Sequence, residues 1–227
     1  MTTHSSQDIR QQYELDLERL RADTVRLGAL VLENAKRLTD AFLENRLDLA
    51  REVVAADNEI DALYADLERS VFMLIALQQP VAGDLRLLTA MIRILYELER
   101  SGDLVVNCAQ GLLHQDGYDL PPAIHGVMAR LFQASAEMFG KGIDAFADMD
   151  PAAALRLDVE DDVVDDLTGE LYERIGELGD IDLAIEISRT GRYMERIADH
   201  AVNIADHCCF IVTGSFARQR TVGTTDE

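Results

Sequence analysis

Tryptophan is absent from this chain of 227 residues, and only 6% of its residues are aromatic. Leu, Ala, Asp, Glu and Arg dominate instead, which is the composition of packed helices. Cysteine is scarce as well, with only Cys108, Cys208 and Cys209. Three is an odd number, and adjacent cysteines bridge only with strain, so no disulfide framework is expected. The three read as small core residues of a reduced protein. Long apolar runs are missing too: the longest, Val71 to Leu77, falls far short of the ~20 residues that a membrane-spanning helix needs. The opening MTTHSSQD has neither the basic region nor the apolar core of a signal peptide. A cytoplasmic protein is the expectation. Basic residues are outnumbered, with 21 Lys and Arg against 42 Asp and Glu and a formal net charge of −21. Direct nucleic-acid binding is excluded on that ground, because it depends on Lys and Arg neutralising phosphates. An acidic surface suits metal cations or basic protein patches; solubility alone is the plainer use of the same charge.

Prolines are few, and all four punctuate. Pro80 ends one helical pattern, Pro121-Pro122 opens another after the polar loop 114–120, and Pro151 follows the turn Asp148-Met149-Asp150. Between these marks apolar residues recur at helical spacing, as in Leu17, Leu20, Val25, Leu27, Leu30 and Val31. No alternating run is long enough for a convincing strand.

What the chain does contain is a repeat. Arg93, Glu99, Arg100, Asp103 and Asn107 return in the same order as Arg189, Glu195, Arg196, Asp199 and Asn203, at a constant offset of 96. A second stretch repeats at an offset of 104: Ala41-Phe42 returns as Ala145-Phe146, and Asp57, Asp61 and Leu63 return as Asp161, Asp165 and Leu167. The change of offset removes about eight residues from the second copy, most simply between Glu173 and Asp180. Six long helices are predicted, over roughly 8–45, 48–78, 82–113, 121–149, 151–177 and 180–213. The expected fold is all-α: two pseudo-symmetric three-helix bundles, residues 1–116 and 117–213, with short loops forcing antiparallel neighbours and a flexible polar tail over 214–227.

On a helical wheel with Glu99 at zero, Asp103 lies near 40°, Asn107 near 80°, Arg100 near 100° and Arg93 near 120°. The sixth helix repeats this polar arc with Arg189, Glu195, Arg196, Asp199 and Asn203, and Asp206 extends it. Like charges one turn apart repel by a few tenths of a kcal/mol even when exposed. Repeating that arrangement at Glu99/Asp103, Glu195/Asp199, Asp57/Asp61 and Asp161/Asp165 requires a compensating cation. Arg100 and Arg196 can supply it, and so can a metal. Paired carboxylates with a nearby Asn favour hard cations such as Mg²⁺, Ca²⁺, Mn²⁺ or iron. A solvated acidic face, or a surface for a partner protein, remains the simpler reading of each pair. Arg86, Arg93 and Arg100, spaced at i,i+7, can meet a phosphate or pair with neighbouring acids.

Other groups carry less. His207-Cys208-Cys209 point around the helix and read as packing, and His200 reads as a surface histidine or a peripheral ligand. The run Glu160-Asp161-Asp162 with Asp165-Asp166 reads as a solvated face. No catalytic triad, P-loop or Gly-rich dinucleotide turn can be placed, and none of the five histidines has Glu three residues before it as a ferritin-like di-iron site requires. A non-enzymatic protein is expected.

LQQPVAGDLRLL (77–88), followed by ELERSGD and ERIADHAVNIA, resembles the PhoU family of phosphate-signalling regulators over about residues 8–213. The resemblance implies two three-helix bundles in a cytoplasmic protein, commonly a homodimer, that holds down the phosphate-starvation response and phosphate uptake. It implies an adaptor between the ATPase subunit of the Pst phosphate ABC transporter and a sensor histidine kinase, reaching the membrane only through them. It further implies metal, iron first and Mg, Mn, Zn or Ca besides, at the E-x-x-x-D motifs. Carried over, Glu99 and Asp103 would hold one cluster and Glu195 and Asp199 the other. Asp57, Asp61, Asp161 and Asp165 would follow from the preceding helices, with Asn107 and Asn203 behind them. The chain's acidity and its short link near residue 179 depart from the family's pattern. A metal-storing or buffering helical protein, or a helical scaffold outside phosphate signalling, is the alternative.

Overall fold

The computed structural model describes residues 6–217, with the side chains of residues 10–217. Six α-helices occupy them: α1 (Ser6–Leu43), α2 (Leu47–Gln78), α3 (Ala82–His114), α4 (Pro122–Asp148), α5 (Ala153–Arg174) and α6 (Ile181–Thr213). The all-α class and the three-plus-three arrangement follow the sequence closely. Four helix ends carry a clear local signal. Gln79, Met149 and Gly214 leave α2, α4 and α6 in the left-handed conformation, and the Asp180 carboxylate caps α6 by accepting from the Leu183 amide at 3.1 Å.

The missing residues of the second copy come off the end of α5, which has 22 residues against 32 in α2. A 3₁₀ turn, Ile175–Glu177, and Gly179 with φ 55° take the place of the lost turns.

Helices α3 and α6 are built alike. In α3, Leu88, Met91, Leu95, Leu98, Gly102, Val105, Ala109 and Leu112 are all buried at alternating spacings of three and four. In α6, Ile187, Gly191, Met194, Ala198, Ala201, Ala205 and Cys208 follow the same rhythm. A 3.5-residue repeat of this kind gives one straight seam per helix, suited to shallow-angle packing. Within each copy the three helices contact one another, and α3 meets α6 while α1 meets α4 across the copies. The apolar core is therefore one continuous cluster, running from Leu20 to Ala217.

The chain past α6 corrects one expectation. Phe216 stacks on Phe210 with centroids 4.7 Å apart, and the Ala217 amide donates to Asp206 Oδ1 at 2.7 Å. Residues 214–217 are thus folded back onto α6, because an aromatic and a buried alanine give this short stretch something to pack; the rest of the expected flexible tail lies outside the described residues.

Close approach between α4 and α6 depends on Gly142, where an added Cβ would lie 2.9 Å from both Cα and O of Ala201. Backbone cannot yield as a side chain can. Gly142→Ala is expected to cost about 1–3 kcal/mol by overpacking. Gly126→Ala, in the same helix with nothing within 4 Å of the new Cβ, is expected to be neutral or to gain up to about 1 kcal/mol. Urea unfolding of the two variants checks the contrast, and equal midpoints would contradict it.

Candidate functional site

The shared seam of α3 and α6 leaves Glu99/Asp103 and Glu195/Asp199 on the flank that faces the preceding helix of each copy. Antiparallel packing then sets the acids of the two helices against each other. Asp57 is pushed up by burial, then by the charges of Asp61 and Asp103. Glu99 is pushed up by burial, then by Asp103, with Asp61 adding to it. In the second copy, burial and then Asp199 and Asp165 push the Asp161 carboxyl up to about 6. Burial and Glu195 raise Asp165, and burial, Glu195 and Asp165 raise Asp199. The pairs map onto one another through the repeat: Asp57 with Asp103 as Asp161 with Asp199, and Asp61 with Glu99 as Asp165 with Glu195. All eight acids singled out from the sequence fall into these two sets of four.

Guanidinium groups answer part of the charge. Arg100 reaches both Glu99, at 2.9 Å, and Asp103, at 3.1 Å, while resting over the Tyr96 ring with its Cζ 5.6 Å from the centroid. The second copy solves the problem differently. Arg192, which stands where the first copy has Tyr96, pairs with Glu195. Arg196, expected to compensate the acids, instead spreads its charge over the α3–α6 seam, where it acts on Glu97 and His200 as well as Asp199. Among the described residues no ion pair reaches Asp57, Asp61, Asp161, Asp165 or Asp199. Asp161 Oδ1 is buried without a hydrogen-bond partner.

In kind and in charge the acids fit a hard cation: oxygen donors only, more negative than their arginines can balance, and one orphaned oxygen already facing inward. Their rotamers do not close around one. Among the described residues no group of three or more His, Cys, Asp or Glu side chains is gathered tightly enough to hold a metal ion.

Several residues stand apart from where the sequence placed them. His200 is buried, not a surface residue. Its Nδ1 lies 2.9 Å from Ser101 Oγ and its Nε2 3.6 Å from Glu97, and burial among arginines pushes it down to about 4. Asn203 donates to Glu97 at 3.4 Å across the seam, and Asn107 lines a separate cavity of 330 Å³ with Gly111, Arg189 and Tyr193. Among the described residues neither asparagine hydrogen-bonds one of the eight acids. Of the three spaced arginines Arg100 alone forms ion pairs among the described residues, and Arg86 Nε is buried without a partner. Cys108, Cys208 and Cys209 are buried and free, as expected.

One polar cluster escaped the sequence reading. Glu186 is buried beside Gly111 and pairs with Arg189, with the Tyr118 and Thr190 hydroxyls buried nearby. The repeat carried the signal, since Glu186 and Thr190 occupy the positions of Ala90 and Ile94 in the first copy, both buried.

The fold is a duplicated all-α one whose halves each set four acids between facing helices, and among the described residues no helix is long and apolar enough to cross a membrane. The PhoU domain family matches residues 24–112 and 128–208, and the chain belongs to that family, one of accessory rather than catalytic proteins. It is 34% identical over 209 residues to a phosphate-specific transport system accessory protein PhoU homolog of Synechocystis, covering 90% of this chain and 93% of the relative. A PhoU homolog of Deinococcus radiodurans is 33% identical over 91% of this chain and 99% of its own. The crystal structure of PhoU from Pseudomonas aeruginosa superposes with a TM-score of 0.84 at 25% identity, over 89% of this chain and all of that one.

Asp161 provides a test of the electrostatics. Its folded value, about 6, lies above the ordinary 3.8, so the folded state binds the proton more tightly than the unfolded one. Stability from this group is complete below about pH 4 and is lost as pH rises through about 6. Partial exposure to solvent limits the effect to about 1 kcal/mol. Asp161→Asn is therefore expected to raise the metal-free melting temperature at pH 7 by ~2–4 °C and to change it little at pH 4. Calorimetry at the two pH values checks this; a variant less stable at pH 7 would contradict it.

Proposed function

We infer that this chain is a non-enzymatic regulator of phosphate uptake that works as an adaptor. Its proposed contacts are the ATPase subunit of the phosphate-specific transporter and the sensor histidine kinase of the phosphate response, which it holds off when phosphate is plentiful. Family membership supports the phosphate connection, and the names of its relatives place them in the phosphate-specific transport system. The observation that carries the mechanism is the pair of acid sets, each with more carboxylates than its guanidiniums can balance.

Metal is part of the reading. Glu99, Asp103, Asp57 and Asp61 would hold a hard cation in the first copy, and Glu195, Asp199, Asp161 and Asp165 in the second, with iron, Mn²⁺, Mg²⁺, Zn²⁺ and Ca²⁺ as candidates. When bound, such an ion supplies positive charge that relieves the repulsion and ties the two helices of each copy together. The chain's own part is positional. Buried seams fix α2 against α3 and α5 against α6, so that the acids are presented on firm helix faces rather than on loops. A partner's state is biased only through its unequal affinity for the metal-bound surface in each state.

Two measurements test this. Elemental analysis of protein incubated with Fe²⁺, Mn²⁺ or Mg²⁺ and then dialysed is expected to find retained metal. Glu99→Ala/Asp103→Ala should remove about half of it, and Glu195→Ala/Asp199→Ala the other half. Affinity purification from phosphate-replete and phosphate-starved cells is expected to recover the transporter ATPase or the kinase preferentially from replete cells. Neither partner under either condition would overturn the adaptor role, and metal content unchanged in both double variants would overturn the metal sites.

A further inference from the structure

The outer face of α5 is apolar at positions where its sister helix α2 is charged or small. Leu155, Val159 and Val163 recur at i, i+4 and i+8 and are 48%, 68% and 55% exposed. On the wheel they fall within an arc of about 80°. Isolated surface apolar residues need no explanation, but an unpartnered stripe along one helix does.

The repeat supplies an internal control. At the inward positions of α5, Ala154, Leu157, Val164 and Leu171 match Ala50, Val53, Ile60 and Leu67 of α2, and all eight are buried and apolar. At the outward positions the match ends: Leu155, Val159 and Val163 stand where α2 has Arg51, Ala55 and Glu59. Packing of the bundle therefore does not demand the stripe, because the sister helix folds with charged or small residues there.

Charge decides what fits. Along one edge of the stripe run Asp162 and Asp166, both exposed, and Asp161 and Asp165 of the acid set lie just beyond them. The opposite edge is already balanced, with Arg156 paired to Asp150 and Lys141 to Glu160. A second copy of this chain packed antiparallel would set the same row of acids against itself, and in either orientation it would bring together two molecules already at −21 each. Anionic lipid surfaces and nucleic acid are repelled on the same ground. What complements an apolar stripe with an acidic edge is an amphipathic helix carrying Lys or Arg beside its own apolar face.

We propose that the outer face of α5, centred on Leu155, Val159 and Val163, is a docking surface for a basic amphipathic helix of a partner protein. At the matching positions of α2 the first half has Arg51, Ala55 and Glu59, so its own exposed apolar residues, Phe72, Met73 and Leu77, lie elsewhere along that helix. The inference rests on α5 alone and stands whether or not the acid sets hold metal.

The test uses the full chain in chelator, so that failure of the metal sites cannot affect it. The probe is a fluorescein-labelled synthetic helix of about 18 residues, with Leu along one face and Lys on its flanks, followed by fluorescence anisotropy. Saturable binding is expected, weakening steadily as salt is raised. Replacing the stripe by its sister residues, Leu155→Arg/Val159→Ala/Val163→Glu, should weaken binding at least about tenfold. Asp162→Asn/Asp166→Asn should weaken it less and flatten the salt dependence. Circular dichroism of both variants should match the parent, since the altered positions are exposed. Any of these results would overturn the proposal: equal binding by the stripe variant, equal binding of a peptide with Glu in place of Lys, or stripe-dependent binding to phosphatidylglycerol vesicles. Stripe-dependent self-association in sedimentation velocity would likewise overturn it in favour of a second copy.

Discussion

Repulsion between carboxylates held on facing helices is the constraint around which this molecule is arranged. Each copy commits four acids to one interhelical groove, and the helices cannot move apart to relieve them, because their inward faces are joined in a single core. The acids respond as buried like charges must: burial and mutual charge raise Asp57, Glu99, Asp161, Asp165 and Asp199. A fold with no use for the arrangement would be more stable with neutral groups there.

The two copies meet the same problem with different means. Arg100 bridges both acids of its own helix and is steadied by Tyr96; in α6 the tyrosine position becomes Arg192, which takes Glu195 alone. Arg196 is released to the seam between the copies, where Glu97, His200 and Asn203 form a polar contact. The second set is consequently the less balanced of the two: among the described residues Asp161, Asp165 and Asp199 have no ion pair, against Asp57 and Asp61 in the first, and one Asp161 oxygen is orphaned. The apolar stripe on α5 is a second point at which the two halves differ at matched positions.

Much of this was legible from residues alone. Six helices, their ends at prolines and turn residues, and the shortened second copy all follow from local signals that tertiary packing left unaltered. The eight acids could be found because duplication fixes them at constant offsets, and antiparallel three-helix packing brings matched faces together. Details that depend on which neighbour a long side chain chooses could not be read. Arg192 rather than Arg196 answers Glu195, although Arg196 holds the position from which Arg100 reaches Glu99 in the first copy. His200 is buried because α3 covers that side of α6, a contact between copies that no periodicity within one helix reveals. Glu186 and the α5 stripe emerge only when matched positions of the repeat are compared for burial, where a polar residue replaces an apolar one or the reverse.

Carbon-detected NMR titration of the Asp and Glu carboxyls, in chelator and then with added Mg²⁺, reads the repulsion directly. Asp161 should titrate near pH 6, with Asp57, Glu99, Asp165 and Asp199 also above the ordinary carboxylate range, and all should move down when the cation is present. Carboxyls that titrate at ordinary values, indifferent to the cation, would mean that the two acid sets are no more than a solvated surface.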